Sequence, residues 1–388
     1  MIPHLELLEP PKIPPDFGFT DEHELARTEA RRFLEERCSI SEVRRLADDA
    51  DGFDAALYRD IAGLGWLGLT LGESLGGLGL DSLHQALLFE EMGRVLLPSP
   101  YFASWLALSA LGEGGSDAQK RALVPSIAAG ERMATLALSE PGTSWEPEDV
   151  ATKAEPSEGG YVLRGVKTHV VFGNAASLAV VPCKEPGGAI GLFVVDLPQS
   201  QISVEAETSL DGTRRMSRLT LDGARVAKGA RLEGDGLAAL RAVHIRAFAM
   251  LAAEMCGGME RTLGLTRDYA ATRIQFGRPI GAFQAVKHPI VDVMIAVESA
   301  RSLALGAAVA LDRDPDSAEA LARSAKGFAS DAFVSAAKKG VQLHGGFGFT
   351  WDCDVHFYFK RALWCRSTLG DGIFHRRHLA ELLLGARG

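Results

Sequence analysis

The sequence predicts an α+β protein whose helices and strands are segregated along the chain. Three observations predict it. Apolar residues recur at helical spacing through residues 20–133. Short β-branched or alternating runs, punctuated by Gly, Pro and Asp, are confined to residues 134–236. From about Gly236 onward Ala, Leu, Met and Val recur with almost no such punctuation. Strands alternating with helices, the mark of a parallel sheet, are not found, and neither is a repeat of solenoid length. Three domains are expected: an N-terminal helical domain (1–133), a middle antiparallel β-domain (134–236) and a C-terminal helical bundle (237–388).

After a Pro-rich lead ending near Asp16, Thr20 followed by Asp21 and Glu22 reads as a helix start. Leu25, Ala26, Ala30 and Phe33 are its expected buried stripe. A second helical pattern, over 82–97, ends at Pro98 and Pro100, because proline removes a backbone donor and clashes with the preceding turn. A third covers 117–129. Strands are expected over 161–168, 178–183, 190–196 and 218–226, and long helices over 238–272, 285–311 and 317–343. Gly63-Leu64-Gly65-Trp66-Leu67-Gly68 matches the dinucleotide pattern G-x-G-x-x-G. That motif needs a strand before it and a helix after it, so that phosphate meets a helix N-terminus. Here a helical pattern precedes it and more glycines follow, so the segment reads as a turn.

Apolar residues make up 47% of the 388 and charged residues 23%, which is ordinary for a globular chain. Lys plus Arg number 41 against 50 Asp plus Glu, a formal charge of -9 that argues against nucleic acid as a partner. A local basic pocket for a phosphate-bearing ligand remains compatible with it. The five cysteines, Cys38, Cys183, Cys256, Cys353 and Cys365, are scattered and form no CxxC pair, so neither a disulfide framework nor a zinc site is signalled. His375 and His378 stand at helix spacing without a carboxylate or Cys at a fixed interval, and no metal is expected there. The N-terminus lacks a basic-then-apolar signal pattern, and no apolar run approaches about 18 residues. A cytoplasmic chain without membrane association is the expectation.

The stretch RIQFGRPIGAFQ, residues 273–284, joins a guanidinium, an amide and an aromatic ring to a glycine turn between two long helices. Arg offers a planar fork for phosphate and Phe a face for a ring, although a capped helix–helix turn with a surface Arg would look the same. In QLHGGFG, residues 342–348, glycines follow a helical pattern directly. They let a backbone approach a ligand closely, or simply end a helix. Together with SEPGT at 139–143, GWLGL from Gly65, GVKTHV at 165–170 and FQAVKHPIVD from Phe283, these segments resemble the acyl-CoA dehydrogenase family. The resemblance runs from about Phe19 to Gly385.

The resemblance implies an N-terminal helical domain, a middle β-domain and a C-terminal four-helix bundle. It implies an FAD cofactor, an acyl-CoA thioester substrate, an electron-accepting flavoprotein and a place in lipid metabolism. Arg273, Gln275, Phe276, Gln342, Gly345 and Gly346 would hold the ADP half of the neighbouring subunit's FAD, while Leu138 and Ser139 would line the flavin ring of this chain's own site. The family's reaction removes a proton α to the thioester carbonyl with a carboxylate, while a hydride leaves the β carbon for the flavin. The chain departs from the family at that carboxylate. The usual Glu position near the C-terminus is Leu369, and the alternative on the first long C-terminal helix is Ala247. Ser144-Trp145-Glu146 and His169-Val170-Val171 also replace Gly-Ser-Asp and Trp-Ile-Thr beside the flavin. In one explanation this is the base-less subunit of a heteromer with a homologous base-bearing subunit, as in dehydrogenases of steroid side-chain thioesters. In another, a self-sufficient homo-oligomer uses Asp371 as a displaced base, unless Asp371 only caps a helix. A third is a scaffold that binds no flavin.

Overall fold

The computed structural model describes residues 12–385. Six helices come first: α1 (Asp21–Arg37), α2 (Ile40–Asp48), α3 (Ala55–Gly63), α4 (Ser82–Arg94), α5 (Tyr101–Gly114) and α6 (Asp117–Ala128). Seven strands follow: β1 (Ala134–Leu136), β2 (Lys153–Ser157), β3 (Gly160–Val171), β4 (Leu178–Lys184), β5 (Ile190–Asp196), β6 (Ile202–Glu207) and β7 (Met216–Ala227). The chain then runs through α7 (Gly236–Thr272), a small hairpin of β8 (Ile274–Gln275) and β9 (Arg278–Pro279), α8 (Gln284–Arg313), α9 (Pro315–Leu343), α10 (Val355–Ser367) and α11 (Gly372–Leu384). No strand precedes the Gly63–Gly68 segment; α3 runs into it and Trp66–Gly68 form a single 3₁₀ turn.

Two compact units emerge from this order. One comprises residues 12–42, 81–97 and 245–385; the other comprises 43–80 and 98–244. The helix α7 belongs to both in sequence.

In the first unit, Thr20 and His23 form a capping box that starts α1. The buried face of α1 is His23, Ala30 and Leu34; of the expected stripe Ala30 is buried, whereas Phe33 is half-buried, Leu25 is 63% exposed and Ala26 is exposed as well. His23, Ala30 and Leu34 are seven and four residues apart and fall on one helical line, with Leu25 on the opposite side. A buried polar residue set the face, which an apolar pattern does not register. Glycines permit a close crossing of α4 and α7. A Cβ on Gly93 of α4 would lie 1.9 Å from the Glu254 carbonyl oxygen, and one on Gly257 of α7 would lie 1.8 Å from that of Glu90. Nearby, α9 is the central element and packs against α8, α10 and α11. The buried Arg361 guanidinium donates to Glu254 at 2.6 Å, tying α10 to α7.

The second unit is built on a seven-stranded sheet of order β1-β4-β2-β3-β7-β6, with β5 on β4. Its core packs Leu163, Val181, Phe193, Leu219 and Leu221. The sheet is mixed, which corrects the antiparallel expectation: β1 runs parallel to β4, and β2 meets β4 in parallel at Lys153↔Lys184. The strands read from the sequence, β3, β4, β5 and β7, do pair antiparallel with their sequence neighbours or with each other. Strand direction is set by which distant segment lies alongside, and that is not a local property.

By length and composition α7 and α8 are apolar enough to cross a membrane, although polar residues interrupt their apolar windows. Those windows are 67% and 56% buried against protein, so both are core helices of the fold.

Candidate cofactor and active site

In the first unit, α7 ends with the Arg273 N–H donating to the Tyr269 carbonyl at 2.8 Å. The β8–β9 hairpin follows, and its two turn residues, Phe276 and Gly277, have φ of +52° and +76°. Two successive positive φ values are the geometry of a tight hairpin turn, which Gly accepts freely and Phe accepts at a cost. The turn holds the Phe276 ring 91% exposed. Phe283 meets that ring edge-on at 5.9 Å and carries the Arg278 guanidinium over its face at 4.2 Å. Arg278 is thus a second cation at this hairpin, unmarked in the sequence reading.

Tyr269, one turn before Arg273, stacks on His344 at 4.5 Å and on Phe347 at 6.0 Å. That stack holds the end of α7 against the end of α9 and brings the two predicted ADP-binding segments together. Gln342, Gly345 and Gly346 are all exposed. A Cβ placed on Gly345 or Gly346 would meet no atom within 4 Å, and Gly345 has φ +61°. The backbone here is open to a ligand, as a phosphate-bearing group requires. A cavity of about 540 Å³ adjoins, lined by Gln342, Phe349, Trp351, Phe359, Lys338 and Lys360.

The base positions lie in the same unit. Leu369 is 1% exposed with φ +58°, and Ala247 is fully buried. The carbonyl of Leu369 accepts from His375 Nε2 at 3.1 Å, and that of Gly370 accepts from Lys326 Nζ at 2.8 Å. Asp371 is the N-cap of α11: its Oδ1 accepts the N–H groups of Ile373 at 3.0 Å and Phe374 at 2.9 Å. Burial pushes the Lys326 ammonium down to about 7. Burial, then the neighbouring Lys326 and Arg323 charges, push His375 far down. At the expected base position this chain therefore has a buried alkyl side chain, with a buried lysine on the carbonyl of the next residue.

A stability consequence follows from Lys326. Its folded-state value lies below the unfolded one of 10.5, so the folded chain binds fewer protons between those limits. Stability should rise from about pH 7 toward 10, by up to about 1.4 kcal/mol per pH unit from this group. Lys326→Met should flatten that rise, read as the difference between wild-type and variant urea midpoints across the window. Parallel curves would show that Lys326 titrates as an ordinary lysine.

In the second unit, Leu138 and Ser139 are half-buried beside β3. The Thr168 N–H donates to the Ser139 carbonyl at 2.8 Å, and the two hydroxyls lie 3.4 Å apart. Next to them Glu140 accepts the N–H groups of Ala151 at 2.8 Å and Thr152 at 2.9 Å, and also the buried Lys167 ammonium. The β3–β7 register shifts between Lys167 and Val170, and His169 bulges out at φ +53° with its N–H on Glu207 at 2.7 Å. Val171 is buried and carries no hydroxyl; the hydroxyl of this segment is that of Thr168. The Lys167–Glu140 pair and the Tyr269 stack escaped the sequence reading. Both lysine and glutamate sat inside quoted motifs, but nothing local joins positions 27 residues apart.

Comparisons agree with this architecture. The family models for the acyl-CoA dehydrogenase N-terminal, middle and C-terminal domains match residues 20–131, 135–224 and 234–384. Acyl-CoA dehydrogenase IpdE2 of Mycobacterium tuberculosis is 31% identical over 88% of this chain and 91% of its own length. Acyl-CoA dehydrogenase FadE27 of the same organism is 31% identical over 89% and 92%. Among solved structures, the ChsE4-ChsE5 complex of M. tuberculosis superposes with TM-score 0.87 at 29% identity, covering 95% of this chain and 99% of that one. A Tcur3481-Tcur3483 steroid ACAD variant gives 0.85 at 31% identity, covering 94% and 98%. The helical–β–helical fold is that of a dehydrogenase acting on CoA thioesters. The chain belongs to the acyl-CoA dehydrogenase family.

Proposed function

We propose that this chain is the base-less subunit of a hetero-oligomeric, FAD-dependent acyl-CoA dehydrogenase. It contributes the ADP-binding half of a shared FAD site, while a homologous subunit supplies the carboxylate. The observation that carries the reading is a contrast within one unit. Leu369 and Ala247 leave both base positions inert, whereas Arg273, Gln275, Phe276, Gln342, Gly345 and Gly346 are exposed and grouped. Two of the similar structures are complexes named for paired chains, which supports a heteromer.

The residues present suit FAD. Arg273, with Arg278 beside it, offers forked donors to a pyrophosphate. The open backbone at Gly345 and Gly346 admits close approach, and Phe276 presents a ring face. When bound, the flavin supplies the hydride acceptor for desaturation of the CoA thioester and hands electrons to a flavoprotein acceptor. On the second unit, Leu138 and Ser139 would line the chain's own flavin ring, with the Thr168 hydroxyl beside that of Ser139. One solved neighbour is a steroid ACAD, which directs substrate trials to CoA thioesters with bulky steroid-type chains. The self-sufficient alternative relies on Asp371, and its carboxylate is engaged in capping α11.

Arg273→Ala tests the shared site. Loss of one charge-assisted pair should weaken FAD retention in the assembled oligomer by about 1.5–3 kcal/mol. Flavin stoichiometry after dilution and desalting, beside an unchanged assembly profile, reads it. Equal retention would return Arg273 to the role of a surface turn residue.

A further inference from the structure

We propose that His23, Asp81 and His84 form a binding site for one divalent transition-metal ion, where the N-terminus of α1 meets that of α4. None of these residues belongs to the cofactor or base segments, and the proposal does not depend on the heteromer reading. His23 Nε2 lies 3.2 Å from Asp81 Oδ2, and His84 Nδ1 lies 2.7 Å from Asp81 Oδ1. One ligand atom from each of the three residues lies within 4.8 Å of the others, although the imidazoles stack with centroids 3.9 Å apart and must tilt for both in-plane lone pairs to converge on one ion.

The surroundings give the three groups different duties. His23 and His84 are only 4% and 8% exposed, so packing fixes both rings. The Asp81 side chain is 38% exposed, which leaves a solvent face for water to complete the coordination shell. Two imidazoles and one carboxylate with an open position suit Zn(II), Co(II) or Ni(II); Mg(II) and Ca(II) prefer all-oxygen shells. His23 Nδ1 lies 2.7 Å from Thr20 Oγ1, the kind of partner that orients a metal-bound imidazole from behind. The Thr20 N–H also donates to that same nitrogen, at 3.1 Å. Metal on Nε2 moves the ring proton to Nδ1, toward the hydroxyl, and the exposed Thr20 N–H turns to water. Asp81 also caps α4 by accepting the His84 N–H through Oδ1 at 3.0 Å, which leaves Oδ2 facing His23.

Besides the tilt the ring stack requires, a second force opposes the ion. Two helix N-termini present partial positive charge here against a single carboxylate. Affinity should therefore fall short of a closed four-ligand zinc site. Because the metal displaces protons held on Nε2 and Nδ1, binding should tighten as pH rises.

The test uses the full-length, tag-free chain after chelator treatment. Titration with Co(II) should give visible d–d absorption saturating at one ion per chain, and Zn(II) should bleach it. His23→Gln and His84→Gln should each weaken binding at least about tenfold, in line with loss of a ligand or its support. Asp81→Asn keeps a capping oxygen for α4 and guards against misfolding as the explanation; it should weaken binding too, with the melting temperature of the apo-protein little changed. The proposal is overturned if no d–d band appears, or if the band survives in Asp81→Asn and both histidine variants.

Discussion

Expressed alone, the chain should desaturate CoA thioesters at a rate about 10²–10⁴-fold below that of its complex with a base-bearing homologue, the range a positioned general base contributes. Leu369 offers no proton acceptor; its carbonyl is held by His375, and that of the next residue, Gly370, by Lys326. Ala247 is buried and equally inert. Asp371→Asn separates the two readings, because Asn also caps helices well and should leave α11 intact. In the complex, activity should survive Asp371→Asn. Brisk turnover by the isolated wild-type chain, abolished in Asp371→Asn, would make Asp371 the base and end the base-less reading. Leu369→Glu gives a third arm: a carboxylate restored beside Lys326 should raise the isolated chain's rate if the rest of its own site is competent. If the rate stays flat while FAD is bound, the altered wall at His169–Val171 is the deficit.

Much of the fold was legible because its signals are local. The long apolar helices α7, α8 and α9 and the alternating strands β3, β4, β5 and β7 carry their periodicity within themselves. The strands that escaped notice are short or compromised. β1 has three residues, β2 contains Pro156, and β6 alternates Glu205 and Glu207 along the edge of the sheet. The two segments proposed to bind ADP stand out in the sequence since each is contiguous. What brings them together, Tyr269 stacking on His344 and Phe347, spans 75 residues or more and has no sequence signature. The same holds for Lys326 beneath Gly370 and for His23 meeting His84. Leu369 and Ala247 at the expected base positions were legible from the sequence, but the buried lysine on the Gly370 carbonyl was not.

The largest stability effect is expected at the Lys167–Glu140 pair, which joins the two segments assigned to the flavin wall. Both side chains are essentially inaccessible, at 0% and 2%. Burial, more than the attraction of Glu140 can offset, holds the Lys167 ammonium below its ordinary value. A pair so placed adds little net stability, yet removing one member strands the other charge in a dry site. Lys167→Met should therefore cost about 3–5 kcal/mol. Glu140 would keep only the Ala151 and Thr152 N–H donors as compensation. Glu140→Gln should cost a similar amount by stranding the ammonium, while its amide oxygen can still accept from those two backbone groups. The double variant Lys167→Met/Glu140→Gln should lie well below the sum of the single costs, since the charges leave together. Urea unfolding of the three variants measures the coupling. Additive single costs would mean that the two residues act independently, and that Ser139 and Thr168 are held by their backbone hydrogen bond alone.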